Sequence, residues 1–281
     1  MPGLEFLRPF NFFFAILLAV GGYFVAGGSL SIGYTFAGVL LAAMFITIAG
    51  NYVNKLTSGN IYKLVKSSFS AKKRKNYDLQ AVVIAIVLFL TGFISAYSVG
   101  INAVSVYVLI LILTLVYISR AKDMQFFRSV IMGIAFSMFV ILGASAYAQT
   151  NLIYVMAGLL FFPIAALDMV RTMDVENSDR MSFLVKFMEH FSSYMKFGEK
   201  ETHSAAALFL AIFILGSPFP YIYGMMPMSY LVVVTFSSLA AFLALFSLVR
   251  RDKNIKPVKT EDLIRINIVL AIIAFLAGVL V

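Results

Sequence analysis

The sequence predicts an all-α membrane protein, with nine helices crossing the bilayer and every charged side chain gathered on one side of it. Three observations carry this reading. Of the 281 residues, 62% are hydrophobic and only 12% are charged, against about 25% charged in a soluble domain, and the mean hydropathy is +0.95. The apolar runs are long enough to span hydrocarbon, which takes roughly 17 to 25 helical residues. The charged residues fall only in alternate connections. A soluble core of this size cannot hide so much apolar surface, so the solvent is lipid. Runs this long and evenly apolar are helices rather than barrel strands.

In chain order the expected spans lie near 10–28, 32–50, 80–99, 101–118, 129–148, 151–168, 204–223, 229–249 and 263–281, within one transmembrane domain covering 1–281. The first span runs on past Gly21 and Gly22 without a small-x-small cleavage site, so it reads as part of the fold rather than a signal peptide. The connection 216–229 is a turn built on three prolines and two glycines. Within 168–203, Leu184, Phe187, Met188, Phe191, Tyr194 and Met195 recur at helical spacing. That pattern reads as an amphipathic helix, lying in the interface or packed on its neighbours.

All 22 Lys and Arg, all 13 Asp and Glu and both His lie in the N-terminal stub or in the connections near 50–79, 119–128, 168–203 and 250–265. Excess Lys and Arg marks the cytoplasmic side. The chain is therefore expected to be a multi-pass protein of the cell membrane, with its N-terminus cytoplasmic and its C-terminus outside. The net charge of +9 is local in origin: Lys63, Lys66, Lys72, Lys73, Arg74 and Lys75 form a basic cluster suited to anionic headgroups. Nucleic acid is the rival partner, but topology already explains the cluster, and stacking aromatics are sparse in it. There is no cysteine, which excludes disulfides, thiolate metal sites and a cysteine nucleophile. His190 and His203 have no metal-ligand spacing with a glutamate on one helix face, and read as interfacial.

Two polar stretches begin inside apolar spans. At the end of the second span, Asn51, Asn54, Lys55 and Ser58 fall at i, i+3, i+4 and i+7, one helix face. Leaving the sixth span, Asp168, Arg171, Thr172 and Asp174 share a flank, followed by Glu176, Asp179 and Arg180. Polar groups near membrane depth are costly unless they face a cavity or one another, so the two span ends are expected to be neighbours. The bland reading, ordinary positive-inside residues, remains open beside this one for Lys55, Arg120, Lys122 and Arg128.

The chain resembles the UbiA superfamily of intramembrane prenyltransferases, with an archaeal flavour. The resemblance rests on the nine spans, on Leu7-Arg8-Pro9 before the first span, on Gly50-Asn51, on Tyr117-Ile-Ser-Arg120-Ala-Lys122, and on Asp174-Val-Glu176-Asn-Ser-Asp179-Arg180. It covers nearly the whole chain. It implies a UbiA-like bundle in which two Asp-rich motifs hold Mg²⁺ on the diphosphate of a polyprenyl donor, with the allylic cation then attacked by an acceptor. On this chain it implies Asp174 and Asp179 as catalytic residues, with Glu176 completing the metal ligands, and Lys55 acting directly on the diphosphate. Asn51, Asn54, Asp168, Arg171, Arg120 and Lys122 are implied as substrate-binding.

One departure shapes the functional expectation. The family's first motif, Asn-Asp-x-x-Asp-x-x-x-Asp, laid on Asn51 places Tyr52, Lys55 and Gly59 at the three aspartates. The Gly and Thr-Leu-Pro signature expected after the second motif is also replaced, by Met181-Ser-Phe-Leu. With a cation where a ligand belongs, weak or absent Mg²⁺ dependence is expected, and Lys55 is expected to pair with a carboxylate of 168–179. Three classes stay open: a prenyltransferase with an altered diphosphate site, a silent lipid- or quinone-binding subunit of a membrane complex, and a transporter. Matching broken helices, the mark of a transporter, are not visible.

Overall fold

A computed structural model describes residues 9–28, 33–57, 76–120, 125–147, 150–173, 199–250 and 257–280. They form α1 (Pro9–Val25), α2 (Tyr34–Thr57), α3 (Asn76–Val99), α4 (Ile101–Arg120), α5 (Gln125–Ala144), α6 (Asn151–Met173), α7 (Glu199–Gly216), the single turn α8 (Phe219–Ile222), α9 (Met228–Arg250) and α10 (Pro257–Leu280). Among the described residues eight helices are long and apolar enough to cross a membrane, and α1 adds a shorter apolar helix over Asn11–Val25. The protein is thus an all-α, multi-pass membrane protein, with each expected span on one of these nine helices. The amphipathic helix expected within 184–195 lies outside the described residues.

Several boundaries differ from the sequence reading: α2 runs on to Thr57, α3 begins at Asn76, α6 runs on to Met173 and α7 covers Glu199–Gly216. Two more differ for one reason. Charged residues in a first helical turn look like loop to a hydropathy window. The fifth helix begins at Gln125 rather than 129, and the last begins at Pro257 inside the expected connection 250–265. Proline at a first helical position costs nothing, because that amide has no intrahelical partner.

The chain divides into two compact units, the first made of Met1–Arg120 and Ala135–Tyr154 and the second of Ala121–Ile134 and Val155–Val281. In the first unit, α2 packs on α1, α3 and α4, and α4 also packs on α3. The α3–α4 hairpin reverses at Gly100, whose φ of +146° is one that side-chain-bearing residues rarely adopt. Tyr107 on α4 donates to the Phe89 carbonyl of α3 at 2.8 Å. Much of this hairpin faces outward: Ile84, Val87, Leu90, Ile94 and Ile112 are exposed, the pattern of helices solvated by lipid.

The tightest contact in the first unit joins α1 to the second half of α5. A Cβ at Gly22 would stand 2.0 Å from the Val140 carbonyl oxygen, and one at Gly143 would stand 1.9 Å from that of Ala19. Backbone therefore lies against backbone, as membrane helices do when small residues meet. Beside this seam the Tyr23 and Tyr147 hydroxyls hydrogen-bond at 2.9 Å, with Phe24 and Phe36 against the Tyr23 ring.

In the second unit α9 packs on α7, α8 and α10. Hydroxyls stitch these helices together. Tyr230 donates to the Ser217 carbonyl at 2.7 Å, Ser217 and Ser238 hydroxyls meet at 2.7 Å, and the buried Ser237 donates to the Asn267 carbonyl at 2.9 Å. Each such bond contributes only about 0.6 kcal/mol on average between membrane helices, but several of them fix which faces meet. The first half of α5 approaches α6 where Gly133 lies against Phe161 and Ala165. Phe126, Phe161, Phe162 and Phe209 form an aromatic cluster joining α5, α6 and α7. The turn 216–227 places α8 between Pro218 and Gly224, with the amides of Met225 and Met226 both donating to the Pro220 carbonyl.

Candidate functional site: a charged cluster at the helix ends

The two polar stretches belong to different units. In the first, α2 runs on through Thr57, so Asn51, Asn54 and Lys55 are helical. Gly50 has a structural reason: a Cβ there would come within 2.8 Å of the Thr114 methyl on α4. Asn51 is half-buried, and its Nδ2 is a buried donor with no hydrogen-bond partner among the described residues. Such an orphan costs about 1–3 kcal/mol, a reason to expect a ligand or water there. The side chains of Asn54, Lys55 and Arg120 lie outside the described part, as do Lys122, the Lys63–Lys75 cluster, and Asp174, Glu176 and Asp179.

In the second unit the sixth-span stretch is built around Asp168, which is only 6% exposed. A carboxylate this deep is stable only when paired and hydrogen-bonded. Both conditions are met from the first turn of α5. Ser129 donates to Asp168 Oδ2 at 2.9 Å, and the Arg128 Nε lies 3.8 Å from the same oxygen. One turn further along α6, Arg171 forms an ion pair with Glu261 of α10. Glu261 is also held by Arg265, one turn along its own helix, and Arg265 pairs in addition with Asp262 at 2.9 Å. Arg171 in the last turn of α6 is further favoured by the partial negative charge of the helix C-terminus.

Three arginines thus meet three carboxylates, and this described cluster carries no net charge. Arg128 was within reach of sequence reasoning; Ser129, Glu261 and Arg265 were not singled out. The signal for the last two was present, since Glu261 and Arg265 stand at i and i+4 four residues after Pro257, the spacing of a helical ion pair.

Mg²⁺ is the ion that the resemblance implies for this site. Mg²⁺ asks for hard oxygen ligands and holds them with near-octahedral strictness. Among the described residues no three His, Asp or Glu side chains converge as a metal site. Asp168 already has its charge answered by Arg128 and Ser129. The three ligands expected for the ion, Asp174, Glu176 and Asp179, lie outside the described residues.

Eight helices long and apolar enough to cross a membrane among the described residues define a multi-pass membrane protein. The profile of the UbiA prenyltransferase family matches residues 14–277. The chain belongs to that family. No curated protein sequence matches it. Among solved structures it is similar to that of digeranylgeranylglyceryl phosphate synthase, with a TM-score of 0.73 at 19% identity over 98% of this chain and 96% of that one. It is also similar to a UbiA homolog from Aeropyrum pernix K1, with a TM-score of 0.67 at 14% identity over 96% of each chain. A third is a UbiA homolog from Archaeoglobus fulgidus bound to GPP and Mg²⁺, with a TM-score of 0.65 at 16% identity over 99% of each chain. At these identities the likeness is one of fold.

Proposed function

We propose that the chain binds a polyprenyl chain carrying a diphosphate, from the cytoplasmic side of the membrane, and neutralises the anion with cationic side chains in place of a pair of metal-bridged aspartate motifs. Membership of the prenyltransferase family supports the isoprenoid, as does the GPP held by the Archaeoglobus fulgidus homolog. The observation that carries the rest is the state of Asp168, which is answered by Arg128 and Ser129 within the fold. Two facing carboxylate clusters repel and need cations between them, whereas a cluster that balances itself does not.

In this reading Lys55, Arg120 and Lys122 meet the diphosphate as point charges and donors, Asn51 supplies its unpartnered amide, and the apolar spans shelter the tail. Mg²⁺, if bound, would neutralise charge on the departing diphosphate, the part that the chain's own cations take in this reading. A second reading, a silent lipid-binding subunit of a membrane complex, is favoured by Tyr52, Lys55 and Gly59 at the aspartate positions. One experiment separates them. The purified protein is extracted for bound isoprenoid and assayed with polyprenyl diphosphates, with and without Mg²⁺. We expect bound isoprenoid and no Mg²⁺-dependent turnover; turnover that persists without Mg²⁺ favours the first reading, and bound isoprenoid with no turnover at all favours the second. Robust Mg²⁺-dependent transfer would sink both the metal-free and the silent readings.

The orientation belongs to the same proposal, with the N-terminus and charged connections cytoplasmic and the C-terminus outside. Cysteines introduced at Ser70 and Gly100 should label from opposite faces of sealed vesicles. Labelling from one face would overturn it.

A further inference from the structure

We propose that Arg171 and Arg265 form an oxyanion site for phosphate-bearing ligands, and that Glu261 is an internal stand-in occupying it until such a ligand arrives. The inference deepens the reading above and rests on it for the isoprenoid tail, though not for the anion.

The two guanidiniums come from different helices, α6 and α10, yet both converge on one oxygen, Glu261 Oε1. Two positive forks aimed at a single anionic oxygen is the arrangement that grips a phosphate oxygen. A carboxylate brings one negative charge to these two cations, while a phosphate ester or diphosphate brings more charge and more acceptor oxygens. The site is also reachable. The side chains of Arg171, Glu261 and Arg265 keep 24%, 18% and 29% of their exposure, so an anion from water can compete. Arg265 keeps a hold when Glu261 leaves, because Asp262 takes its other terminal nitrogen at 2.9 Å. Buried metal chemistry is not required for any of this.

The test is binding of inorganic pyrophosphate to the full chain in non-ionic detergent, by calorimetry, with a melting curve for every variant. Glu261→Gln removes the stand-in and leaves both arginines, so pyrophosphate should bind about tenfold tighter, a shift equivalent to about 1.4 kcal/mol. Adding Arg171→Gln to that variant should cancel the gain. Equal or weaker binding by E261Q, or a gain that survives the loss of Arg171, overturns the proposal, the second result because it would report bulk charge. Should E261Q not fold, R171Q and R265Q are measured singly. Each should lose affinity, and unchanged affinity overturns the site. Geranyl diphosphate and phosphatidylcholine nanodiscs doped with phosphatidic acid then serve as competitors. Whichever displaces pyrophosphate names the source of the phosphate, and displacement by neither overturns the proposal. Displacement by phosphatidic acid alone leaves the arginine site standing while the isoprenoid reading falls.

Discussion

In the first unit, α1 meets the second half of α5 backbone to backbone: Gly22 and Gly143 bring each helix onto a carbonyl of the other. In the second unit, the first half of α5 meets α6 partly through Ser129, Arg128 and Asp168, and α6 meets α10 through Arg171 and Glu261. Every charged side chain described lies in the second unit. One helix, α5, thus uses two kinds of adhesion along its length. Close backbone contact is insensitive to pH and salt, and it tolerates no added volume. Charge-paired contact tolerates volume, but it depends on each partner being present.

The comparison can be broken by substitution, starting with the larger effect. Gly143→Ala puts a methyl group within 1.9 Å of the Ala19 carbonyl oxygen, and only a helix shift relieves that. Overpacking of this kind costs about 2–3 kcal/mol, so the melting point should drop sharply, and equally at low and high salt. A neutral G143A would mean that the seam is not closed. Asp168→Ala removes the carboxylate that Arg128 faces. Removing one partner of a buried pair costs about 3–5 kcal/mol, but Arg128 keeps 22% exposure and its Nε is 3.8 Å away, so solvent screening reduces the expected loss to about 2 kcal/mol. Here Asp168→Asn should cost less than Asp168→Ala, because the amide oxygen still accepts from Ser129. Equal losses for the two would show that the charge, rather than the hydrogen bond, sets the stability of this end.

The same contrast explains what the sequence revealed. The spans were legible because lipid imposes length and apolarity on every helix, and the segregation of 22 basic residues ordered the connections. Asp168 and Arg171 were legible because charge at the end of an apolar run stands out. The Gly22–Gly143 seam was not, since a glycine in a membrane helix looks the same whether it faces a neighbour or lipid. Glu261 and Arg265 were passed over for the opposite reason: among the many charges of 250–265 they looked like ordinary connection, and only the start of α10 at Pro257 puts them on a helix. Ser129 was silent because a serine has no signature until its carboxylate partner is known.

The Arg171–Glu261 pair also sets a clock during synthesis. Asp168 enters the membrane with Ser129, 39 residues upstream, already made. Arg171 is paired in the opposite direction along the chain. Its carboxylate lies 90 residues further on, and at ~5–20 residues per second the ribosome delivers it roughly 5–18 seconds later. Through that interval the Arg171–Glu261 contact is missing, so the end of α6 gains its tie to α10 only when the last helix of the chain arrives.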